Sequence, residues 1–194
     1  MTMGSNNLHH MKNCEDIADF IEQQDDIVHL LKAVDAISLP DCWIGAGLIR
    51  NAVWDHLHGR VPKLIPGSDV DVVYFDPRHA TLERDETIED RLTNEIRDVP
   101  WSVSNQARMH VRNGDMPYSD VEDALRHWPE TATAIGARIG HYGIELVAPY
   151  GVEDLIKLIV RPTPAFANKM DLCRKRISAK SWTERWPKLS LLDT

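Results

Sequence analysis

The chain has 194 residues, 43% of them hydrophobic and 27% charged, enough for one domain with a buried core. Its formal net charge of −8 opposes a general nucleic-acid binder, which needs positive surface to displace counterions. Three widely spaced cysteines (Cys14, Cys42, Cys173) without a CxxC pair exclude a disulfide framework or cysteine zinc site, and fit a reducing compartment.

The N-terminal stretch MTMGSNNLHHMKNCED is polar, so no signal peptide is expected. No apolar run reaches membrane-spanning length, and the expected location is the cytoplasm. Apolar residues at Ile17, Phe20, Ile21, Ile27, Leu30, Leu31, Val34 and Ile37 predict a helix over 17–38. LPDCWIG predicts a turn and a short strand ending at Gly45, and GLIRNAVWDHLHG a helix over 47–59. RVPKLIPGS is a loop, DVDVVYF a strand over 69–75, and TLERDETIEDRLTNEI a charged helix over 81–96. WSVSNQARMHV predicts a strand. Ser119 and Glu122, at capping-box spacing, predict a helix start, and 130–140 a second helix. HYGIELVAPYG reads as a strand into a turn, VEDLIKLIV as a helix ending before Arg161-Pro162, and 165–180 as a basic helix, followed by a tryptophan-bearing tail. These elements predict an α+β (or α/β) fold, a small mixed sheet packed by helices.

Between Arg161 and Lys188 lie eight basic residues and only two acidic ones, either a solvated helix face or a patch that receives phosphates. Asp69 and Asp71 lie two apart on a strand, so both carboxylates project from one face while Val70 and Val72 take the other. Two bare carboxylates repel, and a divalent ion such as Mg2+ or Mn2+ removes the conflict. Two solvated acids at a strand start are the alternative. In WIGAGLIRN, Gly45 and Gly47 allow close backbone approach, and the following helix N-terminus offers free N–H groups to phosphate.

The segment GAGLIRNAVWDHLHGRVPKLIPGSDVDVVYF resembles the head domain of the nucleotidyltransferase superfamily that includes DNA polymerase beta, in particular the tRNA CCA-adding enzymes and bacterial poly(A) polymerases. Ala46 and Gly47 stand at that family's glycine pair, Arg50 at its arginine, Gly59-Arg60 and Pro62-Lys63 at its connecting elements, and Asp69 and Asp71 at its metal pair. Downstream, Asp123, Leu125 and Arg126 match the start of one further block, and Pro149, Gly151, Asp154 and Leu155 match another. The resemblance covers 42–160, flanked by a helical N-terminal segment (15–38) and a basic helical C-terminal one (161–194), all within a single domain. The chain as a whole resembles small bacterial nucleotidyltransferase-like proteins.

The resemblance implies transfer of a nucleoside monophosphate from a nucleoside triphosphate to a hydroxyl acceptor, with pyrophosphate leaving. It implies catalytic roles for Asp69 and Asp71 and nucleotide contacts from Gly45, Ala46, Gly47 and Arg50. The family's third carboxylate has no counterpart on WSVSNQARMH. Glu145 is the substitute the sequence offers, a solvent-facing strand glutamate being the alternative. Departures at Ala46, Asn51 and the third acid also leave room for an inactive nucleotide-binding or protein-interaction module. Arg108 is expected to share a strand face with His110, and either to contact phosphate or to take a core or ion-pair role. Of the other histidines, His9, His10, His56, His58, His127 and His141 lack metal-ligand spacing. Trp54 reads as core, whereas Trp182 and Trp186 either pack on the domain or stack on a base. The acidic surface and short chain favour a small-molecule or protein acceptor over RNA.

Overall fold

The computed structural model describes residues 11–64 and 68–192. His9, His10 and part of the predicted loop before Asp69 lie outside the described residues.

The amphipathic N-terminal stretch forms two helices, not one. α1 (Cys14–Glu22) is capped by Asn13, whose side chain accepts from the Asp16 amide, and α2 (Asp25–Asp35) follows after a break at Gln23-Gln24. Asp25 and Asp26 fall in the first turn of α2, where acids favour a helix N-terminus. Ile17, Ile21, Leu30 and Leu31 bury the inner faces of the pair.

β1 (Trp43–Gly45) leads through Ala46 into α3 (Gly47–Leu57), and β2 (Val70–Tyr74) begins one residue after Asp69. α4 (Leu82–Glu95) starts at a Thr81 cap. The next strand is shorter than expected. β3 (Trp101–Asn105) stops at Asn105, whose side chain accepts from the Ala107 amide and starts α5 (Gln106–Asn113). Asn105 is fully buried and also accepts from the Asp76 amide and donates to the Asp76 carbonyl, so it serves two elements at once. α6 (Val121–Arg126) begins at Asp120, one residue beyond the expected cap, with Asp123 accepting in return from the Ser119 amide.

The predicted helix over 130–140 is instead a 3-10 turn (Thr131–Thr133) and a strand, β4 (Gly136–Ile139). Gly136 explains this. It lies between Trp43 and Val147, and a Cβ there would come within 3.1 Å of each side chain. β5 (Ile144–Val147) returns antiparallel to β4. α7 is confined to Glu153–Ile156, and β6 (Ile159–Val160) pairs in parallel with β7 (Ser190–Leu191). The basic segment gives a 3-10 turn (Pro164–Phe166), α8 (Met170–Ala179) and α9 (Trp182–Arg185).

The main sheet has the order β3-β2-β1-β4-β5, with only β2 and β3 parallel. One face carries Val70, Val72, Tyr74, Trp101 and Val103 into the main core. The opposite face carries Trp43, Val73 and Val147 into a smaller cluster against α6, and Asp69 and Asp71 belong to that face by the strand's alternation. Among the described residues no helix is long and apolar enough to cross a membrane, and all three cysteines are free.

Candidate active site

The sheet register sets the site. Asp71 pairs directly with Ser102 of β3. The β1–β2 register places Gly45 on its other side. A Cβ on Gly45 would come within 2.8 Å of the Trp128 ring, so this glycine makes room for a tryptophan. Trp128 thereby covers the sheet beside the carboxylates.

Ala46 sits at φ 23°, ψ −88°, a left-handed conformation that alanine adopts only under strain. Its amide donates to the Ile135 carbonyl and its carbonyl accepts from the Arg50 amide, which hold it in place. α3 then begins at Gly47 without a side-chain cap, leaving the amides of its first turn free for an anion.

Two cavities meet at the acids, each bordered by Ala46, Asp69, Asp71, Arg176 and Lys180. The first, about 600 Å³, extends over Gly47, Arg50 and Asn51 towards α9. The second, about 730 Å³, extends over Ser102 and Ser104 towards Arg108 and Arg112 of α5. Burial, and then the charge of Asp69, raise the Asp71 carboxyl above the ordinary range, while Lys180, Arg176 and Arg50 oppose the rise. Neither the Asp69 nor the Asp71 carboxylate takes a hydrogen bond or ion pair from another described residue. Two oxygen-donor acids, one poorly solvated, beside open space suit a magnesium-sized cation. Among the described residues no group of three or more His, Cys, Asp or Glu side chains converges, so the remaining ligands would be water or substrate oxygens.

Arg50 is built into the wall. It is buried, donates to Asn51 Oδ1 (2.8 Å) and Thr133 Oγ1 (3.2 Å), and lies over the rings of Trp54 and Trp182 at 5.0 and 4.2 Å. Burial pushes its guanidinium down to about 10, against the pull of Glu130, so it stays cationic at neutral pH. Trp182 and Trp186 are buried edge-on against Trp54, which fits packing and removes the base-stacking alternative.

Two expected residues sit elsewhere. Glu145 lies on β5, three strands from β2 or roughly 14 Å at usual strand spacing. It pairs with Arg138 at 2.7 Å, so the fold does not bring it to Asp69 and Asp71. Arg108 is helical, not on a strand, so it and His110 do not share a face. Arg108 borders the second cavity and pairs with buried Asp85, whereas His110 packs against Tyr118. His127, with no expected role, borders the second cavity. Its Nδ1 lies 3.0 Å from the Asp123 carbonyl oxygen, the arrangement in which Nδ1 carries the hydrogen and Nε2 remains an acceptor. Its sequence signal is weak, since only the fold brings the end of α6 to the cleft.

An acidic pair at the start of β2, a strained turn and a helix N-terminus border a common cleft. An NMR structure described as revealing a CCA-adding enzyme head domain is 32% identical, with a TM-score of 0.84, covering 96% of this chain and 100% of the other. A nucleotidyltransferase family model matches residues 32–191, and the chain belongs to that family. A CCA-adding enzyme with CTP (14% identity, TM-score 0.54) is matched over 93% of this chain and 43% of its own. A Thermotoga maritima CCA-adding enzyme with tRNA (14%, 0.54) is matched over 94% and 43%. These two share the fold, and this chain spans less than half their length. No curated protein matches by sequence.

Proposed function

We propose that the chain is a metal-dependent nucleotidyltransferase that moves a nucleoside monophosphate from a nucleoside triphosphate to a hydroxyl acceptor. The observation that carries this is the position of Asp69 and Asp71, at the junction of two cavities and beside the α3 N-terminus. In-line displacement needs the attacking and leaving oxygens on opposite sides of the phosphorus, and two cavities that meet at the acids leave room for both partners.

The first cavity suits the triphosphate, because the free amides of α3 and the Lys180 side chain border it. Asp69 and Asp71 would hold Mg2+ or Mn2+, which when bound neutralises phosphate charge and orients the reacting oxygens. Arg50 acts as a fixed positive wall. The acceptor enters from the second cavity. Its hydroxyl oxygen bonds to the α-phosphorus, the bond to the bridging oxygen breaks, and pyrophosphate departs with the electron pair. The hydroxyl proton passes to His127 Nε2, because the third carboxylate of this cavity, Asp115, is already engaged by the Tyr118 hydroxyl. Residues 1–194 work in this reading as one unit, the C-terminal segment forming a wall of the cleft.

Ser102 beside Asp71, where an acid would complete a catalytic trio, favours a second reading, a nucleotide-binding module without turnover. Isothermal titration of ATP and CTP with and without Mg2+, followed by a pyrophosphate-release assay over small-molecule, protein and RNA acceptors, tests both. Magnesium-dependent binding lost in Asp69→Asn and Asp71→Asn, with pyrophosphate release that His127→Gln lowers about a hundredfold, is the expected result. Binding indifferent to metal and to both substitutions would overturn it.

A further inference from the structure

The second cavity bears on the chemical class of the acceptor, an inference that rests on the transferase reading. Its cations are built in. Arg108 and Arg112 lie one helical turn apart on α5 and both border the cavity. Asp85, only 2% exposed, holds Arg108 from behind while also accepting from the Tyr74 hydroxyl (2.6 Å) and the Asn105 amide (3.1 Å). A guanidinium fixed along one edge keeps its other N–H groups oriented, so little freedom is lost when they bind an anion. Lys169, which also borders the cavity, is set over the Phe166 ring at 5.2 Å. These cations gather at one cavity of a chain whose net charge is −8.

We propose that the acceptor is a small hydroxyl compound carrying a phosphate group, seated in the second cavity with the phosphate against Arg108 and Arg112. Planar guanidinium groups one turn apart match phosphate oxygens better than a neutral polyol. A volume of about 730 Å³ lies in the usual range of small-ligand sites. A nucleic-acid strand carries the same phosphate chemistry, but it requires a basic track beyond the cavity, which the acidic chain opposes.

The test uses the full chain with Mg2+ and a saturating ATP analogue whose α,β-bridging oxygen is replaced by methylene. Glycerol 3-phosphate, ribose 5-phosphate, glycerol, ribose and a short oligoribonucleotide with a free 3′-hydroxyl are titrated in by calorimetry. The two phosphate esters bind and the two polyols do not. Arg112→Gln, which breaks no ion pair among the described residues, weakens the esters at least tenfold, and Arg108→Gln does the same where it folds. The affinity for the ATP analogue stays unchanged in both variants. Esters that bind no better than polyols, esters that bind Arg112→Gln as well as the wild type, or an oligoribonucleotide that binds more tightly than either ester each overturn the inference and leave the transferase reading standing. An ATP analogue that fails to bind with Mg2+ overturns that reading and this one together.

Discussion

At the level of single residues, the site carries strain and unbalanced charge where function would require them. Ala46 is held at φ 23° in a turn that glycine would adopt at little cost. Releasing strain of about 1–3 kcal/mol, less the roughly 1 kcal/mol of chain freedom that glycine adds to the unfolded state, leaves Ala46→Gly about 1 kcal/mol more stable. Thermal unfolding should then rise by about 2–4 °C. Asp71 gives the pH dependence. A carboxyl raised in the folded chain destabilises it once the pH exceeds the unfolded value, here 3.8, and that penalty persists at all higher pH. Asp71→Asn should therefore raise the melting temperature of the protein in EDTA at pH 7 and leave it unchanged at pH 3. Protons compete with metal at the same oxygens, so Mn2+ affinity of the wild type should decline with acidification from a higher pH than for an ordinary carboxylate. In Asp71→Asn, Mn2+ affinity should fall about a hundredfold or more at pH 7, as read by titration.

At the level of elements, the basic stretch of α8 divides into cations with different tasks. Arg176 faces Glu130 at 3.3 Å, and Glu130 is 1% exposed and also accepts from Thr133 Oγ1. Arg176→Gln should cost about 2–3 kcal/mol in denaturant unfolding, because it leaves a buried carboxylate short of its cation. Lys180 borders both cavities, and its charge acts on Asp71. Lys180→Gln should change stability by less than about 0.5 kcal/mol while weakening ATP binding about tenfold. Equal effects of the two changes on either measurement would contradict this division. The sequence holds both readings of this stretch, solvated face and phosphate patch, but not which cation takes which task. Elements with one dominant local signal were legible: the α3 stripe, the β2 alternation and the Asp69–Asp71 pairing all come from spacing alone. Elements fixed by distant partners were not. Residues 136–139 read as helix because their place between β1 and β5 depends on Trp43 and Val147 fitting around Gly136. β3 read as too long because Asn105 ends it by bonding to residues some thirty positions earlier. Glu145 suited the chemistry, but strand order, which spacing does not encode, separates it from the acids.

At the level of the whole molecule, the cleft is closed by a segment far from it in sequence. Trp186 donates to Asp55 Oδ1 at 2.8 Å, Arg185 faces the same carboxylate at 3.4 Å, and Trp182 and Trp186 bury their rings against Trp54 of α3. β7 then pairs with β6, and the Lys188 ammonium donates to the Leu57 carbonyl. The same helix whose N-terminus borders the first cavity thus anchors, at its other end, the segment carrying Arg176 and Lys180. Folding stability and nucleotide affinity should be coupled through this anchor. Trp186→Ala removes a fully buried ring and leaves Asp55 with only arginine partners, a loss of about 3–5 kcal/mol in denaturant unfolding. At 10 °C, with the variant still folded by near-ultraviolet circular dichroism, its affinity for ATP with Mg2+ should fall because the α8–α9 wall is no longer held over Arg50. Asp69 and Asp71 stay in place at the start of β2, so Mn2+ affinity without nucleotide should be unchanged. If ATP affinity matched the wild type at that temperature, the C-terminal segment would be a cover for the core and no part of the nucleotide site.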